Sequence, residues 1–164
     1  MRLRVDEIVL PDGTIVPNYY VRESHGFVVI AALTHDEHVV LVRQYRYGSD
    51  SIHLELPAGM LQDGEDPMSC ARRELAEETG YEAARCDLVA EFFPEAVRSA
   101  ARAYVFAATG AVKSREPRLD ATEHLEVELA TLPRFRALLR DGTIDAGPSI
   151  AAGYRVLDFL ERLS

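Results

Sequence analysis

Cysteine is scarce: Cys70 and Cys86 are the only two in 164 residues. Two thiols at that spacing fit neither a disulfide-stapled small fold nor a cysteine-built zinc site, so two reduced thiols in a cytoplasmic protein are expected. Long apolar runs are missing as well. The longest, Phe27 to Leu33, falls far short of the roughly 18 residues that suggest a bilayer span. The start, Met1-Arg2-Leu3-Arg4-Val5-Asp6-Glu7, has no apolar signal core, and no membrane partner is expected. Positive charge is in deficit, with 18 Lys and Arg against 27 Asp and Glu and a formal net charge of −9. A broad basic face for nucleic acid or anionic lipid is thereby disfavoured. A small anionic ligand is not, because carboxylates that hold divalent cations present a locally positive surface to phosphate. Tryptophan, internal repeats and low-complexity tracts are absent. What remains is an ordinary globular composition, 48% hydrophobic and 27% charged, at a length suited to one domain of roughly 100–200 residues.

Periodicity and turn residues give the element order. Residues 3–10 and 19–23 read as strands around the Pro11-Asp12-Gly13 turn, with Pro17 suggesting an edge position. The apolar, β-branched runs Phe27–Leu33 and His38–Arg46 read as a hairpin, and Ile52–Leu56 as a short strand leading into Pro57-Ala58-Gly59. A helix is expected from Asp66 as N-cap and Pro67 at its first position to Thr79, with Gly80 as a left-handed cap. Strands are expected at 86–93, 102–109 and 124–129, with loops at 94–101 and 110–122. Thr131 and Pro133 open a short helix closed by Gly142. Pro148 starts a last helix with Ile150, Tyr154, Leu157 and Leu160 along one face. The expectation is a single α/β (α+β) domain over 1–164 with a mixed sheet and packed helices.

The acidic excess is concentrated. Residues 59–81 hold six acids (Asp63, Glu65, Asp66, Glu74, Glu77, Glu78) against Arg72 and Arg73. Glu74 lies three residues before Glu77 and four before Glu78, so a helix from Pro67 projects all three carboxylates from one face. Like charges so placed disfavour a helix by a few tenths of a kcal/mol per pair, an arrangement that makes sense with a cation among them. Hard oxygen ligands on a helix suit Mg²⁺ or Mn²⁺ together with substrate phosphate. Gly59, Gly64 and Gly80 allow tight flanking turns that bring the preceding backbone, including the Ala58 carbonyl, close to such an ion. The plain alternative for Arg72–Glu78 is a solvated helix face laced with ion pairs.

From Gly59, five residues precede Glu65 and seven more precede Arg73-Glu74-Leu75-Ala76-Glu77-Glu78-Thr79-Gly80-Tyr81. This resembles the Nudix box, Gly-x5-Glu-x7-Arg-Glu-(apolar)-x-Glu-Glu-x-Gly-(apolar), at every defining position. The resemblance implies the Nudix fold, a mixed β-sheet sandwiched between helices. It also implies metal ligands at Glu74, Glu77, Glu78 and the Ala58 carbonyl, with Glu65 and Arg73 bracing loop and helix. The reaction implied is hydrolysis of a diphosphate joined to another moiety. For the acid that orients or deprotonates water, Nudix enzymes use either a box glutamate, here Glu77 or Glu78, or a later loop acid. In Asp120-Ala121-Thr122-Glu123 the resemblance favours Glu123, with Asp120 second.

The likeness runs over most of the chain. Leu41-Val42-Arg43-Gln44-Tyr45-Arg46-Tyr47, Leu54-Glu55-Leu56-Pro57-Ala58-Gly59 and Asp141–Ile150 are similar to segments of ADP-ribose pyrophosphatases and related nucleoside diphosphate sugar hydrolases. Arg46 is thereby expected on the diphosphate, where a guanidinium binds bidentately, and Glu55 at the substrate. Residues 1–25 match N-terminal strands that in that branch build a homodimer, leaving 26–164 as the core. Phe92-Phe93-Pro94-Glu95-Ala96-Val97-Arg98 lacks the Ser-Pro-Gly usual there, and Arg98 is a candidate for phosphate or sugar hydroxyls. Tyr20, in Asn18-Tyr19-Tyr20, is a candidate to stack on a base. The expected activity is Mg²⁺- or Mn²⁺-dependent hydrolysis of a nucleoside diphosphate sugar to a nucleoside monophosphate and a sugar phosphate. Nucleoside triphosphates or dinucleoside polyphosphates are the alternative substrates, and a non-catalytic nucleotide-sugar sensor the alternative class.

Overall fold

A computed structural model of the chain describes residues 2–119 and 124–162. Its strands are β1 (Arg2–Val9), β2 (Ile15–Glu23), β3 (Phe27–Thr34), β4 (His38–Arg46), β5 (Ser51–Glu55), β6 (Ala58–Met60), β7 (Tyr81–Phe92), β8 (Ala103–Lys113) and β9 (Leu125–Thr131). Its helices are α1 (Pro67–Glu74), extended by a π-helical turn over Leu75–Thr79, α2 (Leu132–Arg140) and α3 (Gly147–Glu161). The β1–β2 hairpin is a sheet of its own, and the other seven strands form a mixed sheet.

The central run of apolar residues in β3 explains the layers. Its side chains alternate between faces, as a strand requires. Val29, Ala31 and Leu33 pack with Phe135, Leu139, Val156 and Leu157 of α2 and α3. Val28, Ile30 and Ala32 pack with Cys70, Ala71 and Leu75 on the α1 side. With helices on both faces, neither face of β3 tolerates a polar residue.

One departure from a simple sheet creates the site. β3 and β4 are paired only at Ala32↔Val40 and Leu33↔Val39, next to their turn. Beyond it they diverge. β5 pairs with β4 through Val42↔Glu55 to Arg46↔Ser51, and β6 pairs with β3 through Val29↔Ala58 to Phe27↔Met60. The segment 51–60 therefore fills the wedge, with Leu56 and Pro57 at its apex and Ile30 donating to the Pro57 carbonyl at 2.9 Å. On its outer side β3 runs parallel to β8, and β9 lines the other side of β4.

Several elements differ from the sequence-based expectation. β2 begins at Ile15 with Pro17 inside it, which the isolated two-stranded hairpin permits. β7 begins at Tyr81 and β8 continues to Lys113, because Gly110, at φ 67°, is absorbed as a bulge where the β3 register steps from Leu33↔Thr109 to Thr34↔Ala111. The helix predicted to Thr79 ends in a π turn. Thr79 Oγ1 donates back to the Leu75 carbonyl, a bond that competes with regular winding. α3 buries Ser149, Ala152, Gly153, Val156 and Leu157, while Tyr154 is exposed. A Cβ on Gly153 would lie 2.9 Å from both Leu139 methyl groups, so α3 approaches α2 through its small residues rather than through the tyrosine. Among the described residues no helix is long and apolar enough to cross a membrane.

Candidate active site

The site is assembled where the wedge apex meets α1. Asp66 caps the helix by accepting from Ser69 N at 3.0 Å, and Gly80 ends it at φ 75°. Between these caps the helix lies against β6. The Ala58 N–H donates to Glu78 Oε2 at 3.0 Å, and Glu78 is only 4% exposed. The Glu74 carboxylate occupies the space beside Gly59 where a side chain would begin: a Cβ there would lie 1.9–2.3 Å from its three carboxyl atoms. A side chain at that position would displace the carboxylate from its place beside Arg73.

Arg73 ties the acids together. Its Nε and Nη2 donate to the two oxygens of Glu65 at 2.8 and 2.9 Å, a bidentate pair. Its Nη1 bridges Glu74 Oε1 at 2.8 Å and Glu77 Oε2 at 3.0 Å. Nη2 also reaches the Met60 carbonyl at 3.3 Å. Glu65 accepts in addition from Gln62 N at 2.9 Å. The Arg73 hydrogen bonds, against some desolvation, hold the Glu65 carboxyl down at about 2, and Glu65 is the main cause of the upward shift of the guanidinium. Burial pushes the neighbouring Cys70 thiol up to about 12, which makes it no nucleophile near neutral pH.

Glu74, Glu77 and Glu78 form a hard oxygen donor set suited to Mg²⁺ or Mn²⁺. In the arrangement described, those carboxylates are engaged by protein donors: Arg73 lies between Glu74 and Glu77, and Ala58 N–H is on Glu78. Among the described residues no three His, Cys, Asp or Glu side chains converge as an ion would require. The donor chemistry fits a divalent ion, and the bonds from Arg73 Nη1 fall on one oxygen of Glu74 and one of Glu77. The three acids also differ in exposure, since the Glu77 side chain is 45% exposed while that of Glu74 is 12%.

Beside them runs a cleft of about 310 Å³ lined by Gly59, Met60, Gln62, Arg73, Glu74, Glu77 and Arg118. Across Met60 it borders a mostly apolar cavity of about 360 Å³, with Phe27, Pro94, Ala101 and Pro148 among its walls and His25 and Glu95 beside them. A nucleotide has these two characters, charged at its phosphates and apolar at its base.

The other expected residues fall into separate groups. Arg46 and Glu55 are paired with each other, Nε to Oε1 at 2.9 Å and Nη2 to Oε2 at 2.8 Å; neither lines the carboxylate cleft. Arg98 lies over the Tyr19 ring at 5.6 Å, and its Nη1 reaches the Tyr20 carbonyl at 3.5 Å. Together with Arg22 N to Arg98 O at 2.7 Å, these contacts seam the β1–β2 hairpin to the 94–101 loop. The Tyr20 ring is exposed. Glu123 and Asp120 lie outside the described residues. Sequence reading missed Gln62 and Arg118. Gln62 sits inside the x5 stretch of the motif, where no residue type is specified, and Arg118 arrives from a segment 38 positions after Gly80 that only tertiary structure returns to the helix.

The chain resembles known proteins over most of its length. The NUDIX domain model matches residues 24–152. The chain is 32% identical over 156 residues to a methanol dehydrogenase activator of Bacillus methanolicus, covering 94% of this chain and 84% of that protein. It is 34% identical over 154 residues to an ADP-ribose pyrophosphatase of Bacillus subtilis, covering 93% and 83%. A crystal structure of an ADP compounds hydrolase superposes with a TM-score of 0.85 at 20% identity, over 100% of this chain and 94% of that one, a likeness of fold.

Proposed function

The chain belongs to the Nudix family, and from that membership we infer that it hydrolyses the diphosphate linkage of a nucleoside diphosphate sugar, ADP-ribose or a close analogue, to a nucleoside monophosphate and a sugar phosphate. The observation that carries this reading is the placement of Glu78 on the Ala58 N–H and of Glu74 beside Gly59, with Glu77 lining the adjoining cleft. The similarity to an ADP-ribose pyrophosphatase over 93% of the chain supports the substrate class.

A divalent ion, Mg²⁺ or Mn²⁺, held by Glu74, Glu77, Glu78 and the Ala58 carbonyl would polarise phosphoryl oxygens and lower the pKa of bound water. The chain's own residues do the rest. Gly59 leaves room for the Glu74 carboxylate, and Glu65 fixes Arg73 so that the carboxylates stand at set positions. Arg46 is assigned to the diphosphate, and its bidentate bond to Glu55 presets the guanidinium plane. Glu123 is assigned the proton of the attacking water, with Asp120, Glu77 or Glu78 as the other acids able to take it. Arg98 and Tyr20 are assigned to sugar or phosphate and to the base, a reading supported by the seam between hairpin and loop that brings the two residues together.

The N-terminal strands 1–25 are assigned to a homodimer of two 26–164 cores. The hairpin supports this, since Leu3, Val5, Val9 and Ile15 are exposed on it and an unpartnered apolar surface favours association. Two unpaired thiols, Cys70 and Cys86, suit the cytoplasm. The reading is tested by chromatographic product analysis on ADP-ribose, ADP-glucose, GDP-mannose, UDP-glucose and dinucleoside polyphosphates at one Mg²⁺ concentration. Release of a nucleoside monophosphate from at least one diphosphate sugar is expected. Turnover of triphosphates or dinucleoside polyphosphates alone would replace the substrate class, and binding without turnover would make the chain a sensor.

A further inference from the structure

After β8 the chain returns to the end of the box helix as a strap. Ser114 N and Arg115 N donate to the Gly80 carbonyl at 2.9 and 3.3 Å, and Arg118 N donates to the Glu77 carbonyl at 2.7 Å. The fit is close: a Cβ on Gly80 would stand 2.1 Å from the Arg115 carbonyl oxygen. Arg118 is thus anchored by its backbone to a residue whose carboxylate lines the cleft, and Arg118 lines the same cleft.

Two other arginines bear on the site, and each is positioned by protein carboxylates. Arg73 uses Nε, Nη1 and Nη2 on Glu65, Glu74, Glu77 and the Met60 carbonyl. Arg46 holds Glu55 through Nε and Nη2. Arg118 is exposed, and among the described residues no salt bridge or side-chain hydrogen bond engages its guanidinium. It therefore faces the cleft with donors available, and a planar fork of N–H groups matches the oxygens of phosphate. Its main-chain anchor limits how far the guanidinium wanders, which lowers the ordering cost of binding.

We propose that Arg118 binds the diphosphate of the substrate, donating hydrogen bonds to phosphate oxygens from the strap into the cleft that it lines with Gly59 and Gln62. The proposal rests on the diphosphate hydrolysis inferred above and adds to it a phosphate contact from the strap, besides the one assigned to Arg46.

The test compares wild type, Arg118→Ala and Arg118→Lys, after thermal melting of all three. Two readouts are taken: KM and kcat on ADP-ribose with Mg²⁺, and calorimetric affinity for inorganic pyrophosphate and for adenosine. Arg118→Ala is expected to raise KM and weaken pyrophosphate binding by about tenfold or more, the scale of a charge-assisted hydrogen bond. Tm and adenosine affinity stay unchanged, and Arg118→Lys recovers part of the loss. Wild-type KM and pyrophosphate affinity in Arg118→Ala would overturn the assignment even in an active hydrolase. So would a comparable Tm loss in both variants, which would make the residue structural. If the wild-type chain hydrolyses no diphosphate sugar, the parent reading fails. The pyrophosphate comparison then still decides on Arg118: equal affinity, or none in either chain, overturns it.

Discussion

Arg73 is the residue on which the box depends. Its bidentate pair with Glu65 is part-buried, the two side chains being 25% and 15% exposed, so solvent screens it less than a surface pair. The Glu65 carboxyl, held at about 2 against an ordinary 4.5, contributes stability that is complete above about pH 4.5. That contribution is lost as pH falls through about 2, because protonation then abolishes the pair. Each tenfold change in proton affinity corresponds to about 1.4 kcal/mol, so the shift sets an upper figure of about 3.5 kcal/mol, which the residual solvent exposure of the pair lowers to the order of 2–3 kcal/mol. Glu65→Gln is accordingly expected to be less stable than wild type at pH 7 by that order and to converge on it near pH 2, checked by denaturant unfolding across that range. A constant difference at every pH would contradict the linkage. Glu65 and Arg73 are visible in the sequence because the motif spaces them at fixed positions. Their bond is not, since it closes an eight-residue loop whose path only the structure gives.

The element that positions the site is α1 with its π turn. It is clamped by the Asp66 cap at one end and by the strap on Gly80 at the other. The two positive-φ glycines flanking it carry different burdens. Gly64, at φ 73°, has open space where a Cβ would go, whereas Gly80, at φ 75°, has the Arg115 carbonyl there. Gly64→Ala should cost about 1–2 kcal/mol, the left-handed penalty alone. Gly80→Ala should cost about 2 kcal/mol more, because backbone cannot move aside as a side chain can. Equal losses in urea unfolding would show that the strap is loosely held. Helix start, helix end and most strands are legible from caps, prolines and alternation. The π turn is not, because it arises from one hydroxyl bonding back to Leu75, and the lengths of β7 and β8 are not, because Gly110 bulges within a strand where a sequence reader ends one.

At the scale of the molecule, the divergence of β3 from β4 lets the 51–60 segment enter the sheet, and this carries Ala58 and Gly59 to the box helix. The motif reveals the carboxylates but not the wedge, since strand pairing between distant segments leaves no local signature. Arg46, Glu55, Arg98 and Tyr20 are singled out in the sequence only through family likeness, and their pairing, Arg46 with Glu55 and Arg98 with Tyr20, is not legible there. Each pair is in direct contact, and neither lines the carboxylate cleft. The hairpin gives a prediction at this scale. If its exposed apolar residues form a dimer interface, Val5→Asp with Val9→Asp should convert a dimer to a monomer in sedimentation velocity while the core keeps its Tm to within a few degrees. A wild-type monomer, or a dimer insensitive to both changes, would count against it.

Diphosphate hydrolysis by the box carboxylates is tested best at Glu78. Gln keeps an oxygen for the Ala58 N–H but removes the charge, so Glu78→Gln should fold with a Tm close to wild type. The decisive measurement is the rate of nucleoside monophosphate release from ADP-ribose with Mg²⁺ by wild type and by Glu78→Gln. Steady release by wild type is predicted, with a loss of about 10³-fold or more in the folded variant, the scale of removing a key electrostatic contact. A folded Glu78→Gln chain turning over at the wild-type rate would contradict it.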